Sequence, residues 1–246
     1  MATFAIGDIH GNRPALEDVL EQVAAVLTPA DTVVFLGDYV DRGSDSKGCV
    51  DRILELRRST PAEVIALRGN HEDWLLRTSR DFTFHSWVLG MDAWETIRSY
   101  SPVAAEALVN KARAMKERLY QEKVPLPYEL FFDAVPADHM AFFQALKTYH
   151  RTADCLCVHA GFDPQAGPIE QQNPRSHIWG VRGVLEKYAG PEIVVYGHWN
   201  NALIRDDGWP LPNIDTFTIG VDTSKHGVVT AVQMPERRVF QSAQYL

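Results

Sequence analysis

The stretch Gly37-Asp38-Tyr39-Val40-Asp41-Arg42-Gly43 directly follows an apolar run, residues 32–36, that is typical of a short buried strand. Two carboxylates and a guanidinium therefore lie within five consecutive positions, between two glycines. Burying Asp38 and Asp41 beside an apolar strand is costly unless positive charge pairs with them. Arg42 could pair with one carboxylate and a metal ion with the other. A charged surface turn would carry the same residues, so this stretch alone leaves both interpretations open.

Four other apolar runs also end in residues that can bind metal ions, namely Asp8 and His10 after residues 4–6, Asn70 and His71 after residues 64–67, His159 after residues 155–158, and His198 after residues 193–196. Asp, Asn and His supply the oxygen and nitrogen donors that divalent metals accept. Asp8 and His10 are two positions apart, so an extended chain would place both on one face. A single histidine after a strand is usually structural, but a stable fold does not require this chemistry at five strand ends. Six such residues are enough for two ions that share one carboxylate, the arrangement used for in-line phosphoryl displacement.

The order of the predicted elements favours a layered α/β fold. A helix predicted from Arg13 and a second over about residues 48–58 separate the first three strands. Such alternation places functional sites at the carboxyl ends of the strands. The last apolar runs, residues 216–221 and 228–232, have no helix between them, so we expect an antiparallel or mixed portion of sheet there.

Residues from about 73 to 150 interrupt this alternation. They contain no strong strand run, and the sequence predicts helices over residues 72–79, 91–100, 102–121 and 138–149, the last with Asp138 as N-cap. We interpret the segment as a helical insertion in a single domain that spans residues 1–246. It could form a lid or a wall of a substrate cleft. The basic residues between 111 and 118 are typical of a solvated helix face.

Composition argues against several kinds of partner. The formal net charge of −8 provides no basic surplus for nucleic acid. No apolar run approaches the roughly 20 residues of a membrane helix, and the chain enters a strand-like run at once, without the pattern of a signal peptide. The three cysteines, Cys49, Cys155 and Cys157, lack companions for a zinc site. Cys155 and Cys157 lie in a strand-like run, which indicates free buried thiols. We therefore expect a cytoplasmic protein without nucleic-acid or membrane partners, for which a monomer is plausible.

Five motifs taken together resemble the ordered motif set of the phosphoprotein phosphatase family. They are Gly-Asp-Ile-His-Gly (7–11), Gly-Asp-Tyr-Val-Asp-Arg-Gly (37–43), Gly-Asn-His-Glu (69–72), His-Ala-Gly (159–161) and Gly-His (197–198). These metal-dependent serine/threonine phosphatases belong to the calcineurin-like metallophosphoesterases. The resemblance extends from residue 6 to about 232, with the insertion matching only as a spacer. It implies a β-sandwich of mixed sheets flanked by helices, and the insert resembles that of bacterial or phage members.

The resemblance also implies a role for each motif residue. Two divalent ions would be bound, with Mn²⁺ expected in vitro and Fe or Zn²⁺ as alternatives. The ligands would be Asp8 and His10 for the first ion, Asp38 as the bridge, and Asn70, His159 and His198 for the second. Arg42 would bind phosphate oxygens. His71 would be the general acid, oriented by Asp41.

A second phosphate-binding arginine is usual in the family between the His-Ala-Gly and Gly-His motifs. Arg182 is the candidate here, because Trp179 nearby could wall the phosphate pocket, and Arg175 is the rival. The five remaining histidines are interpreted as structural or surface residues: His85, His139, His150, His177 and His226.

The expected reaction is hydrolysis of phosphoserine and phosphothreonine in proteins, or of small phosphoesters, by direct attack of a metal-bridging hydroxide. Phosphotyrosine stays open as a substrate, because an open site would accept it. One alternative is a symmetrical dinucleoside tetraphosphate (Ap4A) hydrolase, although Tyr39 and the Asp41-Arg42-Gly43 sequence favour the protein phosphatase. Another is a phosphoprotein-binding module without catalysis, against which the complete ligand set argues.

Overall fold

Two five-stranded sheets face each other across the core, and helices cover the outer face of the first. The computed structural model describes residues 1–181 and 183–245, without the side chains of Tyr120 and Glu186. The strands are β1 (Thr3–Ile6), β2 (Thr32–Phe35), β3 (Glu63–Ala66), β4 (Tyr149–Arg151), β5 (Leu156–Val158), β6 (Val194–Tyr196), β7 (Leu203–Ile204), β8 (Pro210–Leu211), β9 (Asn213–Ile214), β10 (Thr218–Gly220), β11 (Thr230–Met234) and β12 (Arg238–Gln241).

The helices are α1 (Arg13–Ala24), α2 (Ser46–Ser59), α3 (Asn70–Thr78), α4 (Ser86–Gly90), α5 (Trp94–Tyr100), α6 (Pro102–Met115), α7 (Arg118–Gln121), α8 (Glu129–Phe132), α9 (Ala137–Ala145) and α10 (Pro174–Trp179). Short 3-10 turns cover Ile169–Gln171, Leu185–Lys187 and Ser224–His226. None of the helices in the described residues combines the length and the apolar character needed to cross a membrane.

Parallel pairing brings the ends of the site-bearing strands together. The first sheet has the order β12-β11-β1-β2-β3, with β1, β2 and β3 mutually parallel. The second has the order β4-β5-β6-β10-β9, with β5, β6 and β10 mutually parallel. The outer strands β4, β9 and β12 and the strand β11 run antiparallel to their neighbours. The predicted mixed α/β fold is confirmed.

Strand side chains alternate between two apolar layers, as the period of two requires. In β2, Val33 and Phe35 pack against the helices, whereas Val34 faces the opposite sheet. Cys155 and Cys157 lie in this layer between the sheets, and their thiols are free as predicted. The two sheets are thereby joined by a continuous apolar layer.

The region between β3 and β4 is helical, and it packs into the same core as α1 and α2. Trp87, Tyr128 and Phe131 from this region are fully buried in that cluster. The predicted helix over residues 102–121 is interrupted, because Lys116 adopts φ +50° and α6 ends at Met115. The short helices α4 and α8 were not predicted.

The predicted helix over residues 138–149 is also shorter than expected. It runs from Ala137 to Ala145, with Pro136 rather than Asp138 at the N-cap. Tyr149 instead pairs with Val158 in the second sheet. The runs at 216–221 and 228–232 do form strands, but β10 and β11 belong to different sheets. Pairing with strands distant in sequence determines where this helix ends and which sheet each strand joins, and the local pattern of apolar residues does not reveal such pairing.

Candidate active site

The predicted metal-binding residues all follow strand ends that meet at one side of the sandwich. The first sheet contributes Asp8, His10, Asp38 and Asn70, and the second contributes His159 and His198. Three of these residues have left-handed backbone conformations, with φ values of +47° for His10, +53° for Asp38 and +68° for His198. Such conformations are costly for non-glycine residues and concentrate at functional sites.

Asp38 lies between two groups of donors. Its Oδ2 is 3.5 Å from His10 Nε2, and its Oδ1 is 3.4 Å from His159 Nε2. On the first side, Asp8 Oδ2 is 3.8 Å from His10 Nε2. The donor atoms of His10, Asp38 and His71 lie within 4.8 Å of one another, as do those of Asp38, His159 and His198. Asp38 is therefore placed where a carboxylate could serve two ions.

Asn70 completes the second group. Its Oδ1 is 3.0 Å from His159 Nε2 and 2.9 Å from His198 Nδ1. The amide oxygen is neutral, so this group carries less negative charge than the one around Asp8. The structure thus brings together all six ligands that the sequence predicts.

The hydrogen bonds of two histidines fix which nitrogen is free to bind a metal. His10 Nδ1 lies 3.1 Å from Val40 O, and His159 Nδ1 lies 2.9 Å from Leu36 O. A carbonyl can only accept, so each Nδ1 carries the proton and each Nε2 presents a lone pair to the cluster. His10 Nε2 is buried without a hydrogen-bond partner in the described residues. This is the arrangement that a metal ligand requires.

The electrostatics of the cluster also fit bound cations. Burial and the repulsion of Asp222 raise the pKa of Asp8, and burial and the repulsion of Asp8 raise that of Asp38. Burial lowers the pKa of His10 and brings that of His198 to about 4. Buried carboxylates next to neutral imidazoles need positive charge from elsewhere, and divalent cations accept this mixed donor set. The residues present therefore fit two divalent ions.

Asp41 and His71 form a buried pair beside the cluster. Asp41 Oδ2 lies 2.7 Å from His71 Nδ1, and both side chains are inaccessible to solvent. Burial raises the pKa of Asp41 to about 8, against the effect of hydrogen bonds from Thr96 and Trp87. Arg42 is exposed, its Nη2 is 3.5 Å from His71 Nε2, and it forms no ion pair in the part of the chain that the structure describes. Arg42 therefore forms no salt bridge with Asp38 or Asp41 within the described residues, and its guanidinium is available to an anionic ligand.

Glu72 is a site residue to which the sequence analysis gave no role, although it stands in the Gly-Asn-His-Glu motif. Its carboxylate accepts hydrogen bonds from Asp38 N (2.9 Å), Tyr39 N (2.9 Å) and Gly69 N (3.0 Å). Burial raises its pKa to about 7. Glu72 thus ties the loop after β2 to the start of α3.

Asp222, two residues after the end of β10, was also missed. It is 2% exposed, and its Oδ2 accepts a hydrogen bond from Asn200 N at 2.7 Å. Its Oδ1 accepts from Ser224 Oγ at 2.7 Å. The sequence did contain a signal, because this carboxylate follows an apolar run as Asp8 and Asp38 do.

Two glycines allow the backbone to approach the carboxylates. A Cβ atom on Gly69 would lie 2.0 Å from Asp38 Oδ1, and one on Gly197 would lie 2.1 Å from Asp8 Oδ1. Side chains at these positions would occupy the space of the carboxylates themselves. The glycines of these two motifs are therefore needed for close packing.

The predicted second arginine, Arg182, lies outside the described residues. Its rival Arg175 is exposed, with its guanidinium 5.4 Å from the centroid of the Trp179 ring. Trp179 Nε1 donates a hydrogen bond to Asp73 Oδ2 at 3.2 Å, and the centroids of the Trp179 and Trp74 rings are 5.0 Å apart. The choice between the two arginines stays a prediction.

An open cleft of about 730 Å³ adjoins the cluster, and its lining includes His10, Arg42, Ser44, Ser224, Lys225 and Tyr245. None of its described lining residues is acidic. A larger cleft of about 920 Å³ lies among the loops of residues 162–191, and its described lining contains none of the predicted ligands. Of these two clefts, the smaller is the one bordered by a predicted metal ligand, His10, and by Arg42.

The other buried histidines have partners away from the cluster. His85 Nε2 lies 2.9 Å from Val124 O, and His177 Nδ1 lies 3.2 Å from Thr148 Oγ1. His139 is held between Tyr100 and Asp51. These contacts join elements of the fold, in line with a structural interpretation.

Comparison with known proteins points to the same class of metal-dependent phosphoesterases as the five sequence motifs. The calcineurin-like phosphoesterase family model matches residues 1–202. The chain is 36% identical over 109 residues to the serine/threonine-protein phosphatase PP2A-like PPG1 of Candida albicans, which is 41% of this chain and 25% of that protein. The match thus spans about a quarter of the fungal protein's length.

Two solved structures share the fold. A proposed diadenosine tetraphosphatase superposes with a TM-score of 0.65 at 21% identity, covering 99% of this chain and 94% of that one. A cold-active protein-tyrosine phosphatase of a psychrophilic Shewanella species gives a TM-score of 0.56 at 16% identity, covering 98% and 77%. At these identities the likeness concerns the fold alone.

Proposed function

Since the chain belongs to the calcineurin-like phosphoesterase family, we propose that it is a dinuclear-metal phosphatase acting on phosphoserine and phosphothreonine. The observation that carries the proposal is the position of Asp38 between two groups of donors, with the Asp41–His71 pair and Arg42 directly beside them. Similarity to the Candida serine/threonine phosphatase supports the choice of substrate.

Two ions would be held by the six residues around Asp38, with Mn²⁺ as the expected metal in vitro and Fe or Zn²⁺ as alternatives. When bound, such ions activate water and neutralise charge on the phosphate. Arg42 would hold the phosphate oxygens, because a guanidinium offers two parallel charge-assisted hydrogen bonds to a tetrahedral anion. These contacts orient the ester for in-line displacement.

His71 would protonate the leaving oxygen. Its Nδ1 is engaged by Asp41, so its Nε2 is the atom that faces the site. Burial lowers the pKa of His71, and an ionised Asp41 at 2.7 Å opposes this effect by stabilising the imidazolium form that a general acid needs. A positioned acid of this kind contributes about 10²–10⁴-fold to the rate.

A metal-resolved assay tests the proposal. Metal-free protein is supplied separately with Mn²⁺, Fe²⁺ and Zn²⁺ and assayed on matched phosphoserine, phosphothreonine and phosphotyrosine peptides. We expect metal-dependent release of phosphate from the first two, and loss of both metal binding and turnover in Asp38→Asn. Binding of phosphopeptides without metal-dependent turnover would instead support the non-catalytic binding module.

A symmetrical dinucleoside tetraphosphate hydrolase is the second candidate. The open cleft favours it, because Arg42 and Lys225 line a space of about 730 Å³ without an acidic side chain among its described lining residues. Such a space could hold more than one phosphate. Diadenosine tetraphosphate in the same assay decides between the candidates: faster turnover of the dinucleotide than of either phosphopeptide would overturn our first choice.

A further inference from the structure

The helical region after β3 reaches the general-acid pair directly. Asp41 Oδ2, which already accepts from His71, also accepts a hydrogen bond from Trp87 Nε1 at 2.9 Å. Asp41 Oδ1 accepts from Thr96 Oγ1 at 2.6 Å. Trp87 belongs to α4 and Thr96 to α5. Both oxygens of the carboxylate are therefore bound by residues of the insertion.

These contacts are sealed from solvent. Asp41, Trp87 and Thr96 each have an exposed fraction of 0%, and that of His71 is 1%. The Trp87 ring packs 5.4 Å from the ring of Phe131 in α8. The position of the indole N–H is thus set by packing within the insertion.

Thr96 also fixes the backbone that carries the carboxylate. Its Oγ1 accepts a hydrogen bond from Asp41 N at 2.7 Å, and it lies 2.9 Å from Ser46 Oγ. Asp41 has φ +73°, a conformation that needs such support in a non-glycine residue. One hydroxyl therefore constrains both the backbone and the side chain of Asp41.

We propose that Trp87 and Thr96 are positioning residues that aim the general acid. By holding both carboxylate oxygens of Asp41, they fix the imidazole of His71 so that Nε2 faces the leaving group. As the P–O bond breaks, the leaving oxygen keeps the electron pair and takes the proton from Nε2, while Nδ1–H continues to donate to Asp41. This inference rests on the proposed function, and it assigns a positioning role to two helices of the insertion.

The effect of these residues depends on how much the leaving group needs a proton. Nitrophenolate is a good leaving group and needs little protonation, whereas the alkoxide of serine needs it strongly. We expect Thr96→Val and Trp87→Phe to lower kcat about tenfold on a phosphoserine peptide and less than twofold on p-nitrophenyl phosphate. Thr96→Ser keeps the hydroxyl and should restore the wild-type ratio of the two kcat values.

His71→Asn provides the reference background. It should slow the peptide more than the nitrophenyl ester, and adding Thr96→Val to it should change the ratio no further, because the acid is already absent. Trp94→Phe is the matched control, since Trp94 lies in the same insertion but has no hydrogen bond to Asp41. It should leave the ratio at the wild-type value.

The outcomes separate this inference from the proposed function. Equal slowing of both substrates by Thr96→Val and Trp87→Phe, or failure of Thr96→Ser to restore the ratio, would overturn the positioning role while leaving a metal-dependent phosphatase in place. A further change of ratio by Thr96→Val in the His71→Asn background would also overturn it. Absence of metal-dependent hydrolysis of either substrate by the wild-type protein would remove the proposed function, and this inference with it.

Discussion

Replacing Gly69 by alanine tests whether the cluster depends on close backbone approach. Gly69 has φ −88° and ψ 173°, an extended conformation that alanine adopts without strain. The added Cβ, however, would lie 2.0 Å from Asp38 Oδ1 and 2.5 Å from Asp38 N. The substitution therefore perturbs the position of Asp38 and leaves the intrinsic backbone preference of residue 69 satisfied.

The size of the perturbation follows from these distances. Real Cβ contacts are essentially never shorter than 3.0 Å, so the Cβ of residue 69 and Asp38 Oδ1 must move apart by about 1 Å. Rotation of the side chain alone does not suffice, because the backbone nitrogen of Asp38 is also too close. Misplacement of a reacting group by about 1 Å costs on the order of 10²-fold in rate. We expect at least this loss in kcat, together with weaker metal binding.

Metal titration by calorimetry and Mn²⁺-dependent hydrolysis of p-nitrophenyl phosphate measure the two effects. Gly90→Ala is the matched control: its Cβ would meet Trp74 at 3.3 Å, away from the cluster, and both quantities should stay near wild-type values. If Gly69→Ala bound metal and turned over substrate within twofold of wild type, Asp38 could not hold the position on which the proposed site depends.

Three further predictions concern stability and phosphate binding. Tyr39→Phe removes a fully buried hydroxyl that donates to Leu67 O at 2.6 Å, and should lower the free energy of unfolding in urea by about 1–2 kcal/mol; no measurable change would contradict the contact. Burial acts to raise the pKa of Asp31. Hydrogen bonds from the backbone N–H groups of residues 2 and 28 and from the hydroxyl of residue 28 outweigh burial and hold this pKa below its usual 3.8. A depressed folded-state pKa stabilises above the unfolded value, so Asp31→Asn should be less stable than wild type at pH 7, and the difference should vanish as the pH falls through the folded-state pKa; a gap that persists at low pH would exclude this linkage. Arg182→Ala should weaken inhibition by inorganic phosphate more than Arg175→Ala, and the reverse order would identify Arg175 as the second phosphate-binding arginine.

The strand ends were predictable because their signal is local. An apolar run followed by Asp, Asn or His is visible in the sequence without knowledge of pairing, and parallel pairing then brings such ends to one edge. The six predicted ligands are therefore brought together as expected. Which strands share a sheet is not a local property: the sequence predicts an antiparallel or mixed portion for the last two runs, and it does not reveal that β10 and β11 lie in different sheets.

The residues that were missed act through contacts distant in sequence. Trp87 and Thr96 lie 46 and 55 positions after Asp41. A tryptophan or a threonine on a short helix gives no sign that it will donate to a particular carboxylate. Glu72 was visible as part of a motif, but its acceptor role depends on the backbone of Asp38 and Tyr39, which only the folded loop presents.

The same loop explains why an ordinary surface turn is not an adequate interpretation of residues 37–43. Asp38, Asp41 and Arg42 all have left-handed backbones, with φ values of +53°, +73° and +67°. At about 1–2 kcal/mol for each such residue, the turn stores about 3–6 kcal/mol of unfavourable conformation. Glu72 and Thr96 offset this cost by accepting hydrogen bonds from the loop's backbone N–H groups. Because Thr96 belongs to the insertion, the conformation that separates Asp38, at the proposed metal position, from Asp41, at the proposed acid-orienting position, depends on a helix outside the motif.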